Sequence, residues 1–147
     1  MRDAGLGTLL FDLLTPEEEN KDLYTGEFRF DIHLLAKRLV TATEWLKRQS
    51  ATEDLRLGYF GASTGGAAAL VAAAEVGSDI GAVVSRGGRP DLAVNALPHV
   101  QSPTLLIVGE HDWDVMRLNQ EALAQLKCEK VLESIPNATH LFEEDGA

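Results

Sequence analysis

Ser63 stands at the centre of Gly61-Ala62-Ser63-Thr64-Gly65, which joins an apolar run to an alanine-rich stretch. A serine hydroxyl so placed can attack a carbonyl carbon if a base takes its proton and an acid holds that base. The strand–turn–helix setting marks a nucleophile elbow, a sharp turn that lifts the serine above the sheet edge. Residues two positions either side of the serine approach closely, so a Cβ is expected to collide at both Gly61 and Gly65. The first N–H of the following helix, that of Thr64, is the natural donor to a developing oxyanion.

In a parallel sheet the partners of Ser63 must come from loops at the C-terminal strand ends. The chain has four histidines. His33 falls on a helical pattern, and His99 in an irregular region before a strand begins. His111 follows a strand end, but beside the acid candidates. His140, in Pro136-Asn137-Ala138-Thr139-His140, lies in a loop after the last strand and is the favoured base. For the acid, the run ending at Gly109 leads into Glu110-His111-Asp112-Trp113-Asp114. Asp112 follows the strand within one short loop and is favoured. Asp114 is the alternative, although it suits better the capping of the helix expected from Val115. Arg86 and Arg89 sit in a loop at the same sheet end, where a guanidinium can hold a substrate carboxylate; the plain alternative is solvation. Trp113 is placed to wall a pocket or to pack in its support.

The elements that must hold these residues alternate. Apolar runs at residues 6–14, 55–60, 80–85, 104–108 and 131–135 read as strands, the first buried on both faces. Ile32, Leu35, Leu39, Ala42 and Leu46 follow helical spacing, with Asp31 as cap. Further helices are expected over residues 64–76 and 115–127, and residues 15–28 read as a polar surface excursion whose Glu17-Glu18-Glu19 run is solvated. Strands separated by helices predict an α/β fold, a three-layer sandwich on a mostly parallel sheet. Residues 1–147 read as a single domain cut at both ends. Arg2-Asp3-Ala4-Gly5 resembles a helix end with a glycine cap, and Gly146-Ala147 stops just past a loop.

Composition excludes several partners. Lys and Arg number 13 against 23 Asp and Glu, a net charge of −10, which opposes binding to nucleic acid. The one cysteine, Cys128, forms no internal disulfide and suits a packing role in a reducing compartment. No apolar span is long enough for a membrane helix, and the N-terminal run, broken by Asp12, is no signal peptide, so the expected location is cytoplasmic. No metal site or cofactor is expected.

The chain resembles the dienelactone hydrolase-like group of α/β-hydrolases. The matching residues are Gly61-Ala62-Ser63-Thr64-Gly65, Gly109-Glu110-His111-Asp112 and Ala138-Thr139-His140-Leu141-Phe142, in the family's order of nucleophile, acid and base. The resemblance runs from the strand at Leu6 to Gly146. It implies a partial α/β-hydrolase fold and a serine hydrolase of carboxylic esters or lactones. Ser63 would carry the acyl group, His140 would act as base and then acid, and Asp112 would orient it. Dienelactone hydrolases proper use cysteine at the position of Ser63. The family's second oxyanion donor lies in a His-Gly-rich loop after an earlier strand, and that loop and the family's first strands are not expected in this chain. The missing strand would normally lie between the runs at residues 6–14 and 55–60. Either those two pair directly, or an open edge invites association with a second copy.

Two other readings compete. Gly58, Gly61, Gly65 and Gly66 could cradle a pyrophosphate, with Arg86 near a 2′-phosphate, but their spacing is not G-x-G-x-x-G. The absence of a following lysine excludes a P-loop. A reading from a different class is a non-catalytic or weakly active truncated hydrolase domain that serves as a binding or assembly unit.

Overall fold

The computed structural model describes residues 4–144 and 146. Its frame is a sheet of four parallel strands in sequential order, β1 Leu57–Ala62, β2 Ile80–Arg86, β3 Thr104–Gly109 and β4 Lys130–Ile135. Helices α1 Pro16–Thr25 and α2 Ile32–Leu46 precede the sheet. Helix α3 Thr64–Val76 links β1 to β2, and α4 Trp113–Gln125 links β3 to β4. Short 3₁₀ turns at Pro90–Ala93 and Leu97–His99 lie on the β2–β3 crossing. Each crossing advances one strand in the same direction, so right-handed connections lay all of them on one face. On that face Tyr59, Val83 and Leu106 are buried, whereas Phe60, on the alternate face, is 53% exposed.

The alanines of α3 explain its place. Ala67, Ala68, Ala69, Leu70, Ala72 and Ala73 are all buried, and small side chains let the helix lie close to β1, β2 and α2 together. Helix α2 starts where expected, with the Asp31 carboxylate accepting from the Leu34 N–H at 3.0 Å. It packs Ile32, Leu35 and Ala36 into the core and meets β1 through Thr43 Oγ1 and the Tyr59 hydroxyl, 2.7 Å apart. Burial pushes the Tyr59 phenol above its ordinary pKa. Among the described residues, no helix is long and apolar enough to cross a membrane.

Two expectations fail toward the N-terminus. The run at residues 6–14 forms no regular element and pairs with no strand among the described residues, and Leu6, Leu9, Leu10 and Phe11 stay exposed. An apolar run becomes a buried strand only beside a ladder partner, and among the described residues no strand lies between this segment and β1. Only Leu13 and Leu14 reach the core, where Arg38 holds the Leu13 carbonyl. The edge of β1 is accordingly open among the described residues, the second of the two outcomes anticipated. Gly5 has the left-handed φ of 72° that a glycine cap adopts, while Arg2 and Asp3, on which the expected helix end rests, lie outside the described residues.

The acidic segment that follows is a helix rather than a surface excursion. Thr15 and Glu18 form a reciprocal capping box around Pro16 at the first helical position. Glu18 also accepts from both terminal nitrogens of Arg38, Nη1 and Nη2, each at 2.6 Å, so α1 is tied to α2. Its hydrogen bonds to Arg38, helped by the Thr15 N–H, bring the Glu18 carboxyl down to about 2. The Glu17–Glu19 run thus belongs to the positive end of a helix, with one member specifically paired.

Candidate active site

The strand register brings the C-terminal ends to one level: Ala62 lies beside Arg86, Arg86 beside Ile107, and Gly109 beside Ile135. The residues that follow these ends therefore share one rim of the sheet. Ser63 leaves β1 with φ 52° and ψ −123°, a conformation that L-residues avoid and that the surroundings must enforce. The enforcement is visible on both sides of the residue. Its N–H donates to the Arg86 carbonyl at 3.2 Å, and its own carbonyl accepts from the N–H groups of Gly66 and Arg89, each at 3.1 Å.

Gly61 is required for the reason expected, since a Cβ there would lie 2.2 Å from the Gly65 carbonyl oxygen. Gly65 is not. A Cβ on Gly65 would meet nothing within 4 Å, and its φ is not left-handed. The second crowded glycine is instead Gly66, where a Cβ would come 2.4 Å from Ser85 Oγ and 3.2 Å from the Gly88 Cα. With α3 starting directly after Ser63, Gly65 faces open space and Gly66 faces β2. The two glycines should separate in urea denaturation. Gly61→Ala should destabilise the fold by about 2–3 kcal/mol through overpacking. Gly65→Ala should leave stability unchanged or raise it by up to about 1 kcal/mol, because alanine suits a helix better.

The loops after β3 and β4 are stitched together. Gly109 lets them touch, for a Cβ there would lie 2.4 Å from the Ala138 carbonyl oxygen and 2.5 Å from that of Thr139. The Glu110 N–H donates to Ile135 O at 3.0 Å and the His111 N–H to Ala138 O at 2.9 Å. The Asn137 N–H in turn donates to Glu110 Oε2 at 2.9 Å. This stitching delivers His140 to Asp112, with Nδ1 2.6 Å from Asp112 Oδ2. Asp112 occupies the N-cap position of α4 yet makes no capping bond, because its carboxylate is on the imidazole. Helix α4 therefore begins at Trp113, two residues before the expected start. Asp114 sits exposed in its first turn, so of the two acids considered it is Asp112 that meets His140. The imidazole is 41% exposed and the aspartate 14%, so the acid is the better sheltered of the pair.

His140 reaches toward the elbow through Gly87. A Cβ on Gly87 would stand 3.5 Å from His140 Cε1 and Nδ1, and Gly87 follows the Arg86 whose carbonyl holds Ser63. Among the described residues Ser63 Oγ and His140 make no direct hydrogen bond; in enzymes that use such pairs, the bond often tightens only with substrate present. The Thr64 N–H, at the start of α3, has no backbone partner among the described residues.

The other candidates divide. Arg86 lies at this rim, with its guanidinium 4.9 Å from the centre of the Phe142 ring and 3.4 Å from the Leu141 carbonyl oxygen, so it remains beside His140. Arg89 instead spends its fork on Asp91, Nε to Oδ1 at 2.8 Å and Nη2 to Oδ2 at 2.7 Å. Its contribution to the rim is the backbone N–H on Ser63. Trp113, the first residue of α4, is 76% exposed. An apolar groove of about 450 Å³ lies elsewhere, between Leu9, Phe11 and Trp45. Cys128 is partly buried against the core, as a packing residue should be.

The model of the dienelactone hydrolase family matches residues 15–147. A crystal structure of a dienelactone hydrolase from Anabaena variabilis superposes with a TM-score of 0.95 at 63% identity, over 99% of this chain and 68% of that one. A dienelactone hydrolase-like promiscuous phosphotriesterase from metagenomic libraries, at 21% identity and a TM-score of 0.70, shares the fold. Two Mycobacterium tuberculosis proteins that carry a phosphoribosyl transferase name are 57% identical over 143 residues. The chain spans about a third of their length, 31%. The chain belongs to the dienelactone hydrolase family and has a partial α/β-hydrolase fold.

Proposed function

We propose that this member of the dienelactone hydrolase family is a serine hydrolase that cleaves carboxylic esters or lactones through an acyl-enzyme on Ser63. The observation that carries the reading is the 2.6 Å contact between His140 Nδ1 and Asp112 Oδ2, on the sheet rim where Ser63 stands in its strained turn. In this reading Asp112 accepts the Nδ1–H of His140 and leaves Nε2 as the base. Nε2 takes the Ser63 proton as Oγ bonds to the substrate carbonyl carbon, and the carbonyl oxygen becomes an oxyanion. The Thr64 N–H, at the positive end of α3, donates to that oxygen.

Collapse of the adduct expels the alkoxide, which takes the proton from His140 Nε2 and leaves as the alcohol. Water, deprotonated by the same nitrogen, then attacks the acyl carbon, and Ser63 recovers its proton from His140 as the carboxylic acid departs and ionises in solvent. From a lactone both ends stay in one product, a hydroxy acid. Arg86, at the rim beside His140, is the cation placed to meet a carboxylate on the substrate.

The test is a fluorophosphonate probe, which phosphonylates an activated serine as fluoride leaves. The expected result is one adduct per chain, mapped by peptide mass to Ser63 and absent in Ser63→Ala. A folded chain that stays unlabelled would overturn the reading. It would favour the second one, a binding or assembly unit, for which the open β1 edge and the exposed Leu9, Leu10 and Phe11 speak. The transferase name of the mycobacterial relatives belongs to polypeptides of which this chain matches 31%, and the glycine spacing around Ser63 is not that of a phosphate loop.

A further inference from the structure

Asn119 is a wholly buried amide on α4, at 0% exposure, on the helix face that also buries Val115 and Ala122. Its Nδ2 donates to the Gly88 carbonyl at 3.0 Å and to the Val115 carbonyl at 2.8 Å, while its Oδ1 has no partner among the described residues. A buried, unmatched acceptor is a cost that leucine or methionine in the same space would avoid. Gly88 sits in the middle of the segment that grips the nucleophile. The Arg86 carbonyl before it accepts from the Ser63 N–H, and the Arg89 N–H after it donates to the Ser63 carbonyl. Gly88 is also wedged against Ser85, whose Oγ would lie 1.9 Å from any Cβ there, so the segment has no slack on its sheet side. Asn119 is its hold on the helix side. The same helix begins with the residue after Asp112, whose carboxylate meets His140.

We infer that Asn119 is a positioning residue: through Gly88 it fixes the 86–89 segment that keeps Ser63 in its strained turn, and it sets that turn relative to the helix bearing Asp112. The inference rests on the serine hydrolase reading for its effect on rate, while its effect on the 86–89 segment stands independently. Asn119 touches no reacting atom. Removing the amide should loosen the segment and let Ser63 relax away from the position that its base and oxyanion donor require.

The experiment compares the full chain with Asn119→Leu and Asn119→Asp. Leucine removes the donor together with the unmatched acceptor, so Asn119→Leu should melt at or above the parent temperature. It should nevertheless react with the fluorophosphonate about tenfold more slowly, short of the roughly hundredfold that a 1 Å misplacement can cost. Amide hydrogen exchange should quicken at Arg89 and Ser63 while the middle of α4 keeps its protection. Asn119→Asp, near in shape but without the donor, should show the same slow labelling. A labelling rate within twofold of the parent, or a rate loss that tracks a fall in melting temperature with no local exchange change, would overturn the inference. If the parent itself fails to label, the hydrolase reading falls, and exchange alone decides the role of Asn119. Unchanged protection at Arg89 and Ser63 would then overturn it as well.

Discussion

Ser63→Gly should abolish ester hydrolysis and stabilise the protein. The loss of rate should be about a millionfold, the scale on which removing the nucleophile acts in serine proteases. The gain follows from the backbone. At φ 52° and ψ −123° the serine Cβ crowds its own peptide groups, and conformations of this kind cost about 1–3 kcal/mol. Glycine removes the crowding but brings a more flexible unfolded chain, which returns about 0.5–1 kcal/mol. The net should be about 1 kcal/mol, or ~2–4 °C in melting temperature for a chain of this size. Ser63→Ala separates the two effects, since it loses the hydroxyl and keeps the Cβ. It should be as inactive as the glycine variant and no more stable than the parent. Thermal melts and p-nitrophenyl ester turnover on the three proteins check the pair of outcomes. A glycine variant that melts lower than the alanine variant would show that the turn is not strained.

The strain matters because it shows what the neighbours of Ser63 are for. A serine in such a turn must be held from outside its own helix, and the groups that do so are backbone atoms of the 86–89 segment, beside the Gly66 N–H within α3. Those atoms carry no signature in a sequence. Arg86-Gly87-Gly88-Arg89 was legible as a loop at the correct sheet end, and its arginines drew attention for their charges. The structure uses the Arg86 carbonyl and the Arg89 N–H to grip the elbow, and the Arg89 side chain on Asp91. What was readable was side-chain chemistry at strand ends. What was not readable was which main-chain atoms close the site.

The same division runs through the fold. The boundaries of α3, β2, β3 and β4 were legible to within about two residues because apolar runs and a glycine-marked turn delimit them. The segment at residues 6–14 reads as a strand and is not one, because hydropathy reports a demand for burial and only a pairing partner turns that demand into a strand. Helix α1 is hard to read because its acidic residues mask a capping box that Thr15, Pro16 and Glu18 spell out. Of the two glycines the motif singles out, Gly61 makes a close contact and Gly65 none, while Gly66 and Gly109, outside those positions, are nearly as crowded as Gly61. Asn119 left one faint mark, a polar residue on an otherwise apolar helix face, with nothing to say where its amide points.

The acid was the position at which sequence reasoning left two candidates, and the geometry makes a test of it. Asp112→Asn should lower turnover by about 10⁴-fold, as the equivalent change does in a serine protease triad. An asparagine there can present its NH₂ to His140 Nδ1, which then accepts instead of donating. The ring proton moves to Nε2, and the nitrogen that should take the Ser63 proton already carries one. Little else should change, because the Asp112 carboxylate makes no capping bond and the side chains are of nearly equal size. The variant should therefore keep its fold, with melting temperature as the control. Asp114→Asn supplies the contrast. Asp114 is exposed in the first turn of α4, and the carboxylate paired with His140 is that of Asp112, so the Asp114 variant should keep activity within about twofold, at the cost of a few tenths of a kcal/mol from the helix dipole. Equal losses in the two variants would argue that helix charge matters and that the 2.6 Å contact does not. A large loss confined to Asp112→Asn would tie the rate to the orientation of one imidazole, the role its place at the strand end implies.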